Sequence, residues 1–143
     1  MPWSRPVERM REMVLAIKAI WAAWETGEKL DFRGEFYTHT LMTPFFDPGP
    51  NPWGCPRIFL AGVGPRMTEV AGEVGDGFFL HPFHIDESVR RITLPAITRG
   101  LAKARRPRDR FEISTQVILA IGRTDEALER AIQGARTQIA FYA

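Results

Sequence analysis

The chain has 143 residues, of which 45% are hydrophobic and 25% are charged, and its formal net charge is only +2. This composition is typical of one globular domain and excludes a disordered chain, and the small charge does not indicate a nucleic-acid partner. No apolar run approaches the roughly 20 residues that cross a bilayer, and no signal-peptide core is present, so we expect a cytoplasmic protein without membrane contact.

The first predicted element is an amphipathic helix from Pro6 to Trp24. Proline is favoured in the first turn of a helix and glycine just after its end, so Pro6 and Gly27 mark the two boundaries. The apolar residues that recur at helical spacing are Val7, Met10, Met13, Val14, Ile17, Ile20, Trp21 and Trp24.

A long loop follows, from Leu30 to Pro56. Its glycines and prolines are too dense for regular structure beyond a short strand pair. Loops of this length inside compact domains are uncommon and tend to be functional. Because aromatic residues recur between Phe36 and Trp53, we hypothesise that this segment forms a wall or lid over a binding site.

After the loop, apolar runs alternate with helix-spaced segments. Asp76 is expected to hold a turn, Asp86 to cap a helix, and Pro95, which lacks an N–H, to kink or split that helix. The predicted elements are, in order, a strand at 58–61, a helix at 67–74, a strand at 77–80, a helix at 86–104, a strand at 113–121 and a helix that begins at Thr124.

This alternation of strands and helices predicts βαβ units and a parallel sheet. Three such units cannot close an eight-stranded barrel, and an open sheet of three strands leaves its edges and one face uncovered. The predicted fold class is therefore α/β, and the predicted fold is larger than the chain.

The turn after the first of these strands is the strongest candidate binding site. Gly62 and Gly64 end the strand, and Pro65 is suited to open the next helix. Backbone N–H groups at a helix N-terminus attract an anion, and Arg66 would add a charged contact. The alternative is that the glycines serve the turn alone; Met67 replaces the third glycine of the dinucleotide fingerprint, which disfavours a nicotinamide-binding domain.

Three blocks of the sequence resemble the luciferase-like monooxygenase superfamily: PRIFLAGVGPRMTEVAGEVGDGFFL at 56–80, REMVLAIKAIWAAWETGEKLDFRGEFYTHTLMTPFF at 11–46 and DESVRRITLPAITRGLAKA at 86–104. The similarity favours the branch that depends on the deazaflavin coenzyme, and sister branches that use FMN share these blocks. The resemblance implies a partial (β/α)8 TIM barrel. Residues 1–143 would form one domain, its C-terminal half, truncated at both ends, with about three βα units after a helix and a long loop.

The resemblance also implies roles for particular residues. Gly62, Val63 and Gly64 match the turn that holds the cofactor phosphate in relatives. His81 and His84 occupy a stretch that faces the substrate in some deazaflavin-dependent relatives; the alternative is that each satisfies a backbone partner. No third ligand accompanies the two histidines, so no metal site is expected. The sequence nominates no catalytic acid, base or nucleophile.

By resemblance, the function is that of an oxidoreductase that transfers hydride between the deazaflavin coenzyme (F-420) and a small organic substrate. One alternative is an FMN-dependent monooxygenase that uses molecular oxygen. An alternative of another class is an inactive barrel fragment, or a module that completes a barrel by self-association as a homo-oligomer.

Overall fold

The computed structural model describes residues 4–142. In this part of the chain, helices α1 to α5 span Pro6–Thr26, Pro65–Val74, Asp86–Ser88, Leu94–Lys103 and Asp125–Tyr142. Strands β1 to β5 span Phe32–Arg33, Thr38–His39, Phe59–Ala61, Gly77–Leu80 and Glu112–Thr115. Among the described residues, no helix is both long enough and apolar enough to cross a lipid bilayer.

Helix α1 begins and ends where the sequence predicts. Pro6 lies in its first turn, and Gly27 closes it with a φ of 71°, donating its N–H to the carbonyl of Ala23 at 2.9 Å. A side chain is strained at this φ, so glycine ends the helix at the lowest cost. The helix buries Val14 and Ala16 against the rest of the domain.

The predicted strand pair in the long loop is confirmed, since β1 and β2 form an antiparallel hairpin. Glu12 of α1 anchors this hairpin: its carboxylate accepts the backbone N–H groups of Glu35, Phe36 and Tyr37 at 3.0, 2.7 and 2.7 Å. Partial burial disfavours the charged form, but the N–H donors outweigh it and hold the pKa of the Glu12 carboxyl below its usual value. A Cβ at Gly34 would overlap this carboxylate.

The rest of the loop returns along the carboxyl-terminal part of α1. The indole N–H of Trp24 donates to the carbonyl of Phe46 at 3.1 Å, and the N–H of Asn51 donates to the carboxylate of Glu25 at 2.9 Å. Trp53, near the end of the aromatic segment, is 93% exposed. The segment therefore lies on α1, and its action as a lid stays a hypothesis.

The three predicted apolar strands form one parallel sheet in the order β3-β4-β5. The register aligns Leu60, Phe78 and Ile113 across the three strands. These side chains face the layer formed by α1, α2 and α4, and Phe78 is only 1% exposed. The buried cluster between sheet and helices consists of Val14, Leu60, Val70, Ala71, Val74, Phe78, Ile97, Leu101 and Phe111.

Helices α2 and α4 approach each other closely because two glycines face across their interface. A Cβ on Gly72 would stand 2.5 Å from the carbonyl oxygen of Ile97, and a Cβ on Gly100 would overlap the carbonyl oxygen of Glu69. Close backbone packing of this kind admits no side chain at either position. The contact fixes the separation of the two helices that cover β3 and β4.

The opposite face of the sheet is left uncovered by the described chain. The register aligns Ala61, Phe79 and Ser114 on this face, and Phe79 is 49% exposed. The rings of Phe59 and Phe79 lie together there, with centroids 5.1 Å apart. In a closed barrel the face away from the helices is the barrel interior. The architecture is thus that of part of a barrel wall, as predicted.

Asp76 holds the turn before β4, as predicted. Its carboxylate accepts the backbone N–H of Ile58 at 2.9 Å and a guanidinium N–H of Arg106 at 3.0 Å, and the Lys18 ammonium lies 4.0 Å away. Arg106 also donates to the carbonyl of Gly75. These bonds join the amino ends of β3 and β4 to the segment that follows α4.

The predicted helix at 86–104 is split, as Pro95 led us to expect. The chain passes through a π turn at Val89–Thr93, in which the N–H of Leu94 bonds to the carbonyl of Val89. Because Pro95 lacks an N–H, an uninterrupted α-helical ladder is impossible at this point. Helix α4 then continues with the proline in its first turn.

The prediction that Asp86 caps this helix is wrong. The cap residue is Ile85, whose N–H bonds to the hydroxyl of Ser88 at 3.3 Å while that hydroxyl donates to the Ile85 carbonyl at 2.8 Å. The Asp86 carboxylate instead accepts from the guanidinium of Arg90 at 2.8 Å, one helical turn further on. Asp86 therefore lies inside the first turn, where a negative charge still favours the helix.

The predicted strand at 113–121 is wrong in its extent. Strand β5 ends at Thr115, opposite Leu80, the last residue of β4. Beyond this pair no other strand of residues 4–142 offers backbone partners, so the apolar residues that follow form no ladder there, and Val117 and Leu119 are 67% and 72% exposed. Helix α5 begins as predicted, with the Thr124 hydroxyl accepting the N–H of Ala127 at 3.2 Å.

We predict that Gly100→Ala lowers the free energy of unfolding by roughly 2 to 3 kcal/mol, because the added methyl forces α4 away from α2. Gly134→Ala in α5 is the matched control, since a Cβ there meets nothing within 4 Å. Alanine is favoured over glycine inside a helix, so this variant should be as stable as the parent or slightly more stable. Urea unfolding of the three proteins measures the difference, and equal midpoints would contradict the close contact.

We predict that Glu12→Gln costs about 1 to 2 kcal/mol of stability at pH 7, because a neutral amide replaces a carboxylate that accepts three N–H bonds. The pKa of Glu12 is lowered in the fold, so its contribution is present above the ordinary glutamate pKa and is lost as the pH falls through the lowered value. The difference in free energy of unfolding between parent and variant, measured with urea, should therefore shrink as the pH is lowered towards 3. Glu28→Gln, at an exposed position, should have the same free energy of unfolding as the parent.

Candidate functional site

The carboxyl ends of β3, β4 and β5 border a pocket of about 520 Å³. Parallel α/β folds bind their ligands at this edge of the sheet, because the loops that follow the strands converge there. The residues that line the pocket are Ala61, Gly62, Val63, Phe79, Leu80, His81, Pro82, Ser114, Thr115 and Gln116. The sheet thus brings Gly62, Val63 and His81, predicted from separate parts of the sequence, to one cavity.

The predicted phosphate turn joins the end of β3 to the start of α2. Gly64 is the cap residue of α2, with no side chain to bond the first N–H groups, and its carbonyl accepts the N–H and hydroxyl of Thr68 at 3.1 and 3.0 Å. The first backbone N–H groups of a helix have no partner inside the helix and carry its positive dipole end. A Cβ on Gly64 would meet nothing within 4 Å, so there is open space beside its backbone, and Gly64 itself is not among the residues that line the pocket.

Gly62 has a second reason to be glycine. A Cβ at this position would stand 2.7 Å from Cγ of Met67, so the packing of that side chain beneath the turn excludes a larger residue. Val63, between the two glycines, is 90% exposed and contributes little to the core. The turn is therefore shaped by packing at one glycine and open to a ligand at the other.

Arg66 lies beside the turn and is engaged elsewhere. Its guanidinium donates to the carboxylate of Glu8 at 2.5 Å, and its side chain is 75% exposed. The Glu8 carboxyl accepts a backbone bond and lies near Arg66 and Arg5, and these contacts hold its pKa below the usual value. Arg66 is not among the residues that line the pocket. Its predicted contact with a phosphate remains a prediction.

His81 and His84 lie in the turn that follows β4. Nδ1 of His81 accepts the backbone N–H of Phe83 at 3.2 Å, and Nδ1 of His84 lies 2.7 Å from the carbonyl oxygen of His81. Each histidine thus contacts a backbone group, as predicted by the alternative in which the two histidines only stabilise their own turn. His81 also lines the main pocket and an adjoining pocket of about 260 Å³, and His84 lines the adjoining one.

The end of β5 forms part of the pocket wall, which the sequence analysis did not predict. Ser114, Thr115 and Gln116 line the pocket at the carboxyl end of this strand, and Phe79 lines it from the uncovered face of β4. A signal was present, because three polar residues interrupt an apolar run where a barrel strand ends. The predicted strand at 113–121 ran past these residues, so they were not identified as the end of a strand.

Three observations concern metal binding, the cysteine and the aromatic loop segment. Within residues 4–142, no three histidine, cysteine, aspartate or glutamate side chains are grouped so as to hold a metal ion. Cys55 is free and exposed. The aromatic loop segment contributes no residue to the lining of the main pocket in the described chain.

Comparison with known proteins extends the similarity over the whole chain. The family described as luciferase-like monooxygenase matches residues 1–143. A protein of Mycobacterium tuberculosis described only as uncharacterized is 50% identical over 142 residues, which cover 99% of this chain and 42% of that protein. An F420-dependent glucose-6-phosphate dehydrogenase of Nocardia farcinica is 34% identical over 104 residues, 73% of this chain and 29% of the relative.

A solved structure shares the fold. An F420-dependent secondary alcohol dehydrogenase, in complex with an F420-acetone adduct, superposes with a TM-score of 0.63 at 20% identity, over 80% of this chain and 33% of that one. The chain thus spans less than half the length of these relatives, and the shared part agrees with the predicted partial barrel. With a full-length family match and relatives among deazaflavin-dependent oxidoreductases, the chain belongs to the luciferase-like monooxygenase family.

Proposed function

We propose that this chain supplies the phosphate-binding turn and one wall of the substrate pocket of a deazaflavin-dependent oxidoreductase. The observation that carries the proposal is that Gly62 and Val63, in the turn that leads into α2, line the pocket at the carboxyl edge of the sheet. The F420-dependent relatives support the choice of cofactor. The substrate is a small organic molecule.

The turn suits a phosphate for electrostatic and steric reasons. Backbone N–H groups at the N-terminus of α2 supply donors and a positive dipole end without a competing side-chain cap. The open space beside the Gly64 backbone leaves room for a phosphate oxygen to approach the turn.

The rest of the pocket suits a flat ring and a neutral reactant. Ala61, Phe79 and Leu80 give the pocket part of its apolar lining, and its polar side chains are those of His81, Ser114, Thr115 and Gln116. A deazaflavin supplies hydride chemistry when it is bound, and the protein contributes orientation and exclusion of water.

An FMN-dependent monooxygenase is the alternative within enzymes. The N-terminus of α2 would accept the phosphate of either cofactor, so the turn by itself does not discriminate between them. Location in the cytoplasm, and one partial barrel domain over residues 1–143, also remain proposals.

Self-association is a second candidate activity, favoured by one observation. None of the described residues of α5 is buried, and Phe141 and Tyr142 at its end are 87% and 70% exposed. Apolar surface of this kind favours contact with a partner.

We predict that the chain binds the deazaflavin coenzyme more tightly than FMN, measured by the change in cofactor fluorescence on titration. Gly64→Asp should weaken binding by about tenfold to a hundredfold, because a carboxylate at the helix N-terminus repels the phosphate. Gly134→Asp is the matched control, since both positions have room for a side chain and Gly134 lies on α5. Binding of neither cofactor, or equal weakening by both variants, would refute the phosphate turn, and tighter binding of FMN would favour the monooxygenase.

We predict that the particle size measured by sedimentation increases with concentration at micromolar protein. Phe141→Glu with Tyr142→Glu should reduce this increase, because the two glutamates place charge on the apolar end of α5. Glu129→Gln, at an exposed position on the same helix, should leave the dependence of particle size on concentration unchanged. A single monomeric species at all concentrations would remove the association hypothesis and leave the cofactor proposal untouched.

A further inference from the structure

A second pocket lies between the carboxyl-terminal part of α1 and the proline-rich end of the long loop. Its volume of about 350 Å³ is within the range of small-molecule binding sites. Its lining comes from Trp21, Trp24 and Glu25 of α1 and from residues 48–52 and 55–56 of the loop. Residue 56 precedes β3 by three positions, so this pocket lies towards the amino edge of the sheet. In the described chain it shares no lining residue with the pocket at the carboxyl edge.

A short stretch of α1 supplies the aromatic side of this second pocket. Trp21, Trp24 and Glu25 stand at positions i, i+3 and i+4, which are neighbours on a helix surface. The indole N–H of Trp24 donates to the carbonyl oxygen of Phe46 at 3.1 Å. An indole has no other hydrogen-bonding group. What Trp24 offers a ligand is therefore ring surface, which is apolar and carries negative potential on its faces.

The loop side of the pocket is held in place by bonds within the loop. The side-chain oxygen of Asn51 accepts the N–H of Trp53 at 3.1 Å, and its side-chain nitrogen donates to the carbonyl of Gly54 at 2.8 Å. Proline has a fixed φ and no N–H, so the prolines of the lining add apolar surface without donors. They are Pro48, Pro50, Pro52 and Pro56. A ligand therefore meets a wall that is already ordered, which lowers the entropic cost of binding.

Glu25 places a negative charge beside the indoles. Among the described lining residues it is the only aspartate, glutamate, lysine or arginine. One of its carboxylate oxygens accepts the backbone N–H of Asn51 at 2.9 Å. A carboxylate has about four lone-pair positions, so this single bond leaves it able to attract a further positive group. The carboxylate and the faces of the indole rings both favour a cation.

We propose that this pocket binds a small organic cation, an alkylated ammonium that contacts the indoles of Trp21 and Trp24 and is balanced by the charge of Glu25. Metal cations and unalkylated ammonium groups hold their water strongly and require several oxygen ligands. The largely apolar lining does not supply them, whereas alkyl groups on nitrogen gain from contact with ring surface. The site is separate from the proposed cofactor pocket, so the inference goes beyond the proposed function.

The competing explanation is that the crevice results only from packing of the loop on α1, with Glu25 serving to hold Asn51. Glu25→Gln separates the two explanations, because the amide oxygen still accepts the Asn51 N–H while the charge is lost. Glu28→Gln is the matched control, since Glu28 is exposed and does not line the pocket. Trp21→Leu removes one indole, and Trp53→Leu is its control, because Trp53 is 93% exposed and lies outside the lining.

The experiment uses Cys55, which lines the pocket and is the only cysteine of the chain. Occupancy of the pocket should slow alkylation of this thiol by iodoacetamide. The probe is choline chloride, with equal sodium chloride as the reference for ionic strength. Its uncharged analogue, 3,3-dimethylbutan-1-ol, has carbon in place of nitrogen and the same shape. We expect choline to slow alkylation in a saturable way and to bind about fivefold to tenfold more tightly than the analogue.

The variants test which residues provide this affinity. Glu25→Gln and Trp21→Leu should each weaken choline binding about fivefold to tenfold, and neither control should weaken it by more than about twofold. The alkylation rate without choline reports whether the loop keeps its place. It should stay within about a factor of two of the parent for Glu25→Gln, because the bond to Asn51 is kept. If Trp21→Leu disturbs this rate, Glu25→Gln alone decides.

Three results would overturn the proposal. The first is that choline gives no saturable protection of Cys55. The second is that the uncharged analogue protects as well as choline, which would leave an apolar crevice without selectivity for a cation. The third is that Glu25→Gln and Glu28→Gln bind choline equally well. None of these results bears on cofactor binding at the opposite edge of the sheet, so the proposed function is tested separately.

Discussion

The backbone contact between α2 and α4 is the constraint on which the site depends. Gly72 and Gly100 allow the two helices to approach within reach of each other's carbonyl groups. Helix α2 begins at the turn after β3, and α4 continues the segment that follows β4. The pairing of β3 with β4 sets the distance between the turns that follow them, and the helix contact packs α2 and α4 over this strand pair. A side chain at either glycine would change both the core and the pocket.

The two ends of the sheet have different chemistry. At the amino end, Asp76 joins Ile58 and Arg106, and Arg57 bonds the carboxylate of Glu112 at 2.7 Å, so that charged groups hold the strands in register. At the carboxyl end the described pocket lining is neutral, and its donors are backbone N–H groups, hydroxyls and one imidazole. In α/β barrels the amino-terminal face generally serves stability and the carboxyl-terminal face binding, and this division of charge agrees with that arrangement.

The uncovered face of the sheet explains why the pocket is open. In the described part of the chain, Phe59 and Phe79 lie on this face without a facing layer, and the segment after Thr115 pairs with no strand. In a barrel the interior is filled by side chains from strands on the far side. The same geometry accounts for the exposed apolar residues of α5 and for a site whose polar rim comes from only three strands.

The sequence by itself determined the local elements and the order in which they occur. Helix α1, the hairpin, the turn at Gly62–Gly64 and the split at Pro95 depend on backbone preferences of a few neighbouring residues, so they could be predicted. The end of β5 was indicated only by the polar residues that interrupt its apolar run, because a strand persists only where another strand pairs with it. The Ile85 cap, the pairing of Arg66 with Glu8 and the wall formed by Ser114, Thr115 and Gln116 likewise depend on contacts between distant segments. Only the tertiary structure, which fixes those contacts, decided them.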